Sequence, residues 1–299
     1  MVGLDPDPGR LWPGALESPS TVAGSQAPPK TGGPPSRRPE ECAALAVAAH
    51  CRLVIDAVAD QCLGVKLQLA CFERLGAPGW TALAEAVGAA RERGLLVIAD
   101  GKRGDIDVSA AAYGQAYFGE TATPFGPVSG LGVDALTVNP LLGSDSLVPL
   151  ITAARSHGAG LFVLVRTSNP GAADLQELEL QDGHTVTERV AELVSQLGLE
   201  GTGSSGLADV GAVVGATAPH RLARLRELMP QAIFLLPGVG AQGGTVESLK
   251  EAFRPGPAGG LISVSRGIVA AYERLGGDPA QAAAREAQRL REAAWSLAG

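Results

Sequence analysis

Residues 95–106 read Leu-Leu-Val-Ile-Ala-Asp-Gly-Lys-Arg-Gly-Asp-Ile, an apolar run that breaks abruptly into charge. The run Leu95–Ala99 has the make-up of a short strand buried on both faces. Asp100, Lys102 and Asp105 crowd its exit. Desolvating two carboxylates and an ammonium is costly unless they pair. α/β enzymes keep their sites where parallel strands end, so this segment points to proton chemistry on an α/β scaffold. The plain alternative is a solvated loop with a surface ion pair.

The pattern repeats on either side. Strands are expected at Val2–Leu4, Gly64–Leu69, Leu95–Ala99, Ala135–Val138, Leu161–Val165, Val210–Val214, Ile233–Leu236 and Gly260–Val264. Between them, helical patterns cover Glu40–Gln61, Trp80–Arg93, Ser109–Phe118, Ser146–Ser156, Thr185–Gln196, His220–Met229 and Thr245–Ala252. Pro279–Ala298, rich in Ala, Arg and Glu, is a strong helix former. Strands alternating with helices over about 250 residues predict a closed (β/α)8 TIM barrel, an α/β fold, as a single domain over residues 1–299. A doubly wound open sheet would usually carry a glycine fingerprint after its first strand, and the first strand here ends Leu4-Asp5-Pro6-Asp7-Pro8. Within the barrel, residues 13–39 are rich in Pro, Gly, Ser and Thr. That stretch cannot bury enough apolar surface to offset its ordering entropy and is expected to be a flexible, disordered insert after strand one.

Composition narrows the classes. The chain has 299 residues, 45% of them hydrophobic and only 4% aromatic, so aliphatic side chains must fill the core. A net charge of −7 argues against nucleic acid or an acidic membrane as partner. No run reaches the roughly 18 apolar residues that span a bilayer, and no secretory signal is visible, so a cytoplasmic protein is expected. Cys42, Cys51, Cys62 and Cys71 fit neither a zinc site nor a disulfide scaffold and are read as buried, reduced thiols. The histidines (His50, His157, His184, His220) show no metal-ligand spacing, so no metal is expected.

In a barrel the polar residues at strand ends converge. Strand one ends at Asp5. Strand two carries Lys66 and Gln68 inside an apolar run, and a lysine there is rarely buried without a partner. Strand four ends Asn139-Pro140 and strand five Arg166-Thr-Ser168-Asn-Pro170. Strand seven enters Gly238-Val-Gly-Ala-Gln242-Gly243-Gly244, and strand eight ends Ser265-Arg266-Gly267-Ile268. Glycines let backbone N–H groups approach an anion, and Arg266 adds a bidentate donor, so these last two loops suggest a phosphate cradle. Ordinary tight turns would also explain the glycines.

At this point Asp100-Gly-Lys-Arg-Gly-Asp-Ile106 resembles the Asp-x-Lys-x-x-Asp-Ile signature of the orotidine 5′-phosphate decarboxylase family. Lys66-Leu-Gln68, Arg166-Thr-Ser-Asn-Pro170, Gly240-Ala-Gln-Gly-Gly244 and Ser265-Arg-Gly-Ile268 resemble its bacterial subgroup common in actinobacteria. The likeness spans the whole barrel except the insert. It implies cofactor-free decarboxylation of orotidine 5′-phosphate to UMP, the last step of UMP biosynthesis, by a homodimer. In family terms Lys66, Asp100, Lys102 and Asp105 form an alternating charged tetrad, with Asp105 reaching the partner subunit's site. Asp100 faces the substrate carboxylate, and Lys102 stabilises and protonates C6. Lys66 orients Asp100 and the ribose, and Asp5 and Asp105 bind ribose hydroxyls. Ser109 lies on the ribose-phosphate side and Ser168 contacts the pyrimidine. Gln242 and Arg266, with the adjoining Gly243 and Gly267, take the phosphate. Three departures stand out: a lead-in ahead of strand one shorter than the family's, Leu67 where proline is common, and Gly101 where alanine is common. The first leaves open how the barrel closes at strand one.

Two other functions are consistent with parts of this pattern. A metal-dependent sugar-phosphate decarboxylase or aldolase of the same superfamily shares the Asp-x-Lys-x-x-Asp piece but needs an acidic metal ligand near the end of strand two, where only Glu73, several residues on, is available. A non-catalytic nucleotide-binding protein would be expected to lack a tetrad member, and all four are present.

Overall fold

A computed structural model describes residues 1–17 and 37–298. Its eight parallel strands are β1 (Val2–Leu4), β2 (Gly64–Gln68), β3 (Leu96–Arg103), β6 (Ala135–Val138), β7 (Gly160–Arg166), β8 (Val210–Val214), β9 (Phe234–Pro237) and β10 (Gly260–Ser263), hydrogen-bonded in that order. A two-stranded antiparallel hairpin, β4 (Glu120–Thr121) and β5 (Val128–Ser129), stands apart from them. Helices lie between the strands, so the fold is the (β/α)8 barrel expected from the alternation. The chain packs as two compact units. One holds Val2–Val97 with Ser265–Gln288; the other holds Met1, Ile98–Val264 and the chain from Arg289 on.

In the first unit β1 and β2 pair as Val2↔Val65, Gly3↔Lys66 and Leu4↔Leu67. Most of the insert expected at 13–39 lies outside the described residues, but both its ends are helical. Pro13–Leu16 forms the turn α1, with Ala15 buried, and Pro39 opens α2 (Pro39–Val58). Proline suits that first position because its missing N–H has no helical partner to lose. The Glu41 carboxylate accepts the Arg38 N–H at 3.0 Å, capping the same end. α2 buries Val47, Cys51, Val54, Ile55 and Val58 on one face, spaced at helical period. It packs there on α4 (Ala77–Glu92), which follows the short α3 (Ala70–Glu73) and offers Ala82, Leu83, Ala86 and Ala90. Of the four thiols, none in a disulfide, only Cys51 is fully buried, and burial pushes it up to about 12; Cys42, Cys62 and Cys71 are half-buried.

His50, on the buried side of α2, accepts the Trp12 N–H on Nδ1 at 3.1 Å, while the Trp12 indole donates to the Val269 carbonyl at 2.9 Å. Burial lowers the imidazole from 6.5 to about 4. The unfolded chain therefore binds more protons between those pH values, so His50's contribution is complete above pH 6.5 and is lost as pH falls toward 4. That gap is worth about 3 kcal/mol. Over the same pH range, urea unfolding of the native protein should lose about that much more stability than His50→Asn, which keeps an acceptor but does not titrate. Parallel pH profiles for the two proteins would show that His50 takes no part in acid destabilisation.

In the second unit Ile98, Ala135, Phe162, Val213 and Leu235, from five successive strands, form one apolar cluster. Such a layer is how barrel interiors are filled. Met1 also belongs to this unit. Its amine donates to the Ile262 carbonyl at 2.8 Å, and its carbonyl accepts the Val264 N–H at 3.2 Å, so the residue before β1 bonds to the last strand. Helices α5 (Asp107–Tyr117), α6 (Ser144–Ser156), α7 (Val186–Gly198) and α8 (Leu222–Leu228) belong to this unit. On α8, Arg226 is buried over the Phe234 ring and donates to the carbonyls of Met229, Ala232, Ala252 and Gly259. Its charge thus serves the backbone, and burial lowers it to about 10.

Two elements differ from expectation. The helix expected at Thr245–Ala252 is a 3-10 segment, Glu247–Phe253. Hemmed between Gly243-Gly244 and Pro255-Gly256, it is too short for several α-turns, and 3-10 geometry suits such pieces. The third strand does not stop at Ala99 but continues through the charged residues to Arg103.

Candidate active site

The continuation of β3 is irregular, and the irregularity creates the site. β3 pairs with β6 as Ile98↔Ala135 and Ala99↔Leu136, then resumes at Arg103↔Val138. The four-residue step from Ala99 to Arg103 thus faces a two-residue step from Leu136 to Val138, so Asp100, Gly101 and Lys102 bulge from the ladder. Lys102 adopts φ +48°, a left-handed conformation that is strained for lysine and recurs at functional sites. Its N–H donates to the Thr137 hydroxyl at 2.9 Å, and that hydroxyl donates to Asp100 Oδ1 at 2.8 Å. Lys102 Nζ donates to the same oxygen at 2.6 Å. Asp100 is 6% exposed, whereas the Lys102 side chain is 44% exposed. The carboxylate is therefore held from two sides in a poorly hydrated place, with an ammonium that is still reachable from outside.

Beyond the bulge, Arg103 turns away: it donates to the Tyr117 hydroxyl at 3.1 Å and to the Gly101 carbonyl at 3.1 Å. Asp105 is half-buried in the loop entering α5 and accepts the Ile106 N–H at 2.9 Å. Ser109 is exposed in the first turns of α5.

The ends of β7, β8 and β9 bring two more expected residues together. Gly238 has φ +103°, open to glycine but not to most side chains, and a Cβ on it would lie 2.9 Å from Gln242 Oε1 and 3.2 Å from Ser168 Cβ. Ser168 and Gln242 thus converge on one bare stretch of backbone. Ser168 is braced through the Thr217 hydroxyl, which donates to its carbonyl at 3.0 Å. The neighbouring Thr167 is clasped by Gln176, whose Oε1 accepts its N–H at 2.9 Å and whose Nε2 donates to its hydroxyl at 2.8 Å. Arg166 is paired with Glu177 at 2.7 Å and also donates to the Thr167 carbonyl. Gln242 and Gly243 are exposed, in a turn closed by the Gly243 N–H on the Gly240 carbonyl at 2.8 Å.

The remaining candidates lie in the other unit. Lys66 is only 5% exposed, in the middle of β2, and its Nζ is 4.0 Å from Asp5 Oδ1 at the end of β1. Gly3 permits a close approach there, since a Cβ on it would meet Ser265 Oγ at 1.9 Å. Ser265 leads into α9 (Arg266–Val269), placing the exposed Arg266 and half-buried Gly267 beyond β10, ahead of α10 (Ala271–Leu275) and α11 (Pro279–Ala298).

Sequence reasoning missed Thr137. Its signal is a lone hydroxyl within the apolar strand Ala135-Leu-Thr-Val138, a pattern that packing alone also produces. Among the described residues, no three His, Cys, Asp or Glu side chains gather as a metal site would need, and no helix is long and apolar enough to cross a membrane.

The profile of the Orotidine 5′-phosphate decarboxylase / HUMPS family matches residues 41–285. An orotidine 5′-phosphate decarboxylase of Rhodopirellula baltica is 45% identical over 239 residues, 80% of this chain and 78% of the relative. One from Deinococcus radiodurans is 50% identical over 216 residues, 72% of this chain and 74% of the relative. Among solved structures, the OMP decarboxylase of Leishmania donovani aligns with TM-score 0.69 at 32% identity, covering 98% of this chain and 93% of that one.

Proposed function

Because this chain belongs to the orotidine 5′-phosphate decarboxylase family, we propose that it converts orotidine 5′-phosphate to UMP and CO2 with its own side chains and no metal or cofactor. The observation that carries the chemistry is the buried Asp100 carboxylate gripped by Thr137 and by Lys102. In this reading Asp100 lies against the substrate carboxylate, and the repulsion between them is relieved as CO2 departs. The C6–carboxyl bond breaks, its electron pair stays on C6, and C6 takes a proton from Lys102 Nζ, which solvent later restores. The ammonium also stabilises the charge developing on C6 before the proton moves.

The other residues bind and orient. Lys66 positions Asp100 and, with Asp5 and Asp105, holds the ribose. Ser109 contacts the ribose-phosphate side and Ser168 the pyrimidine. Gln242 and Arg266, with backbone N–H groups at Gly243 and Gly267, take the phosphate. Those remote contacts matter because binding energy gained far from C6 can be used at the transition state. The working form is a homodimer in which Asp105 serves the partner's site. Its support is that Ile106, Val108, Leu141 and Leu142, near Asp105 and the end of β6 in sequence, are exposed apolar side chains, Val108 to 83%.

Metal dependence separates this reading from a sugar-phosphate decarboxylase or aldolase. Turnover of orotidine 5′-phosphate should be the same in EDTA as in Mg2+. Loss of turnover in EDTA with recovery on adding Mg2+ would overturn the metal-free mechanism.

A further inference from the structure

We propose that Thr137 is a positioning residue for this reaction, its hydroxyl setting both the Asp100 carboxylate and the Lys102 backbone; the proposal rests on the decarboxylase reading above. A hydroxyl has one proton to give and lone pairs to receive. Thr137 uses both, giving its proton to Asp100 Oδ1 at 2.8 Å and receiving the Lys102 N–H at 2.9 Å. The result is a directed chain, from amide to hydroxyl to carboxylate, in which each bond polarises the next.

The place of Thr137 in the sheet explains why a side chain does this work. Where β3 bulges, the Lys102 N–H is out of step with the β6 ladder. A buried N–H without a partner is costly, and so is a left-handed backbone at lysine. The Thr137 oxygen reaches across the bulge and supplies the missing acceptor. Thr137 is 1% exposed, so water does not readily replace it. Packing alone would be met equally well by valine, which has the same shape, beside the apolar Leu136 and Val138. The hydroxyl is what the site requires: without it Asp100 Oδ1 loses one of these two donors and retains the half-exposed ammonium, and Lys102 loses the bond that holds its strained backbone. Thr137 touches neither C6 nor the leaving group in this reading. It acts through Asp100 and Lys102, so its loss should fall on kcat.

The test compares native protein with Thr137→Val and Thr137→Ser, measuring kcat and KM for orotidine 5′-phosphate, affinity for UMP, and melting temperature. UMP carries no C6 carboxylate, so its binding reports the rest of the site. Thr137→Val should lose roughly 10- to 100-fold in kcat, the range expected for a bond to a charged group. Its KM and UMP affinity should stay within about threefold, and Thr137→Ser should recover kcat to within about threefold of native. If Thr137→Val does not fold, Thr137→Ala is judged by the same criteria. The proposal is overturned if the hydroxyl-free variant keeps native kcat, if Thr137→Ser loses as much as that variant, or if kcat, UMP affinity and melting temperature fall together. Native protein inert toward orotidine 5′-phosphate would instead sink the decarboxylase reading itself, and this inference with it.

Discussion

Lys102→Ala loses at least about 10³-fold of turnover yet still folds and binds UMP. General acid catalysis alone is typically worth about 10²–10⁴-fold, and stabilisation of charge at C6 adds to it. Lys102 is the cation paired with Asp100, and it remains half-exposed, so it can meet a substrate and recover a proton from solvent. Arg103 cannot stand in, because its guanidinium is committed to Tyr117 and Gly101. The fold should survive because Asp100 keeps its bond from Thr137 and nearly half of the Lys102 side chain is already exposed. Single-turnover kinetics and a thermal melt check both parts. A variant that retains a tenth of native turnover would remove Lys102 from the chemistry.

Mixing two inactive variants, Lys102→Ala and Asp105→Ala, restores activity. In the proposed homodimer, either variant alone lacks an essential group in both of its sites. In a heterodimer the shared-site arrangement puts both defects in one site and leaves the other whole. Random exchange of equal amounts makes about half the dimers mixed, so about a quarter of all sites become intact. Asp105 suits this role because it lies three residues beyond Lys102, on the loop entering α5, beside exposed Ile106 and Val108. Activity that stays at the level of the separate variants after demonstrated exchange would show that Asp105 serves its own barrel or none.

The eight barrel strands were legible because strands covered on both faces read as continuous apolar runs, and each such run proved to be one. What escaped were elements without that signature. The exposed hairpin at Glu120–Ser129 buries nothing that patterning could detect. The turn at Pro13–Leu16 is too short to show a period, and the 3-10 segment before Pro255 mimics a helix in composition. Among the candidate residues, charge made Asp100, Lys102 and Lys66 stand out, because a charge within apolar sequence demands a reason. Thr137 carried no such flag. Its role depends on a bulge in the neighbouring strand, and a register irregularity between strands distant in sequence is written in neither of them alone. The convergence of Ser168 and Gln242 on Gly238 was hidden for a related cause: it depends on how two loops from different strands meet.

The most direct measurement follows purified native protein with orotidine 5′-phosphate and quantifies both products. The account predicts one CO2 and one UMP for every orotidine 5′-phosphate consumed, in buffer without added cofactor. Substrate that persists unchanged, while a sugar phosphate is turned over instead, would contradict it.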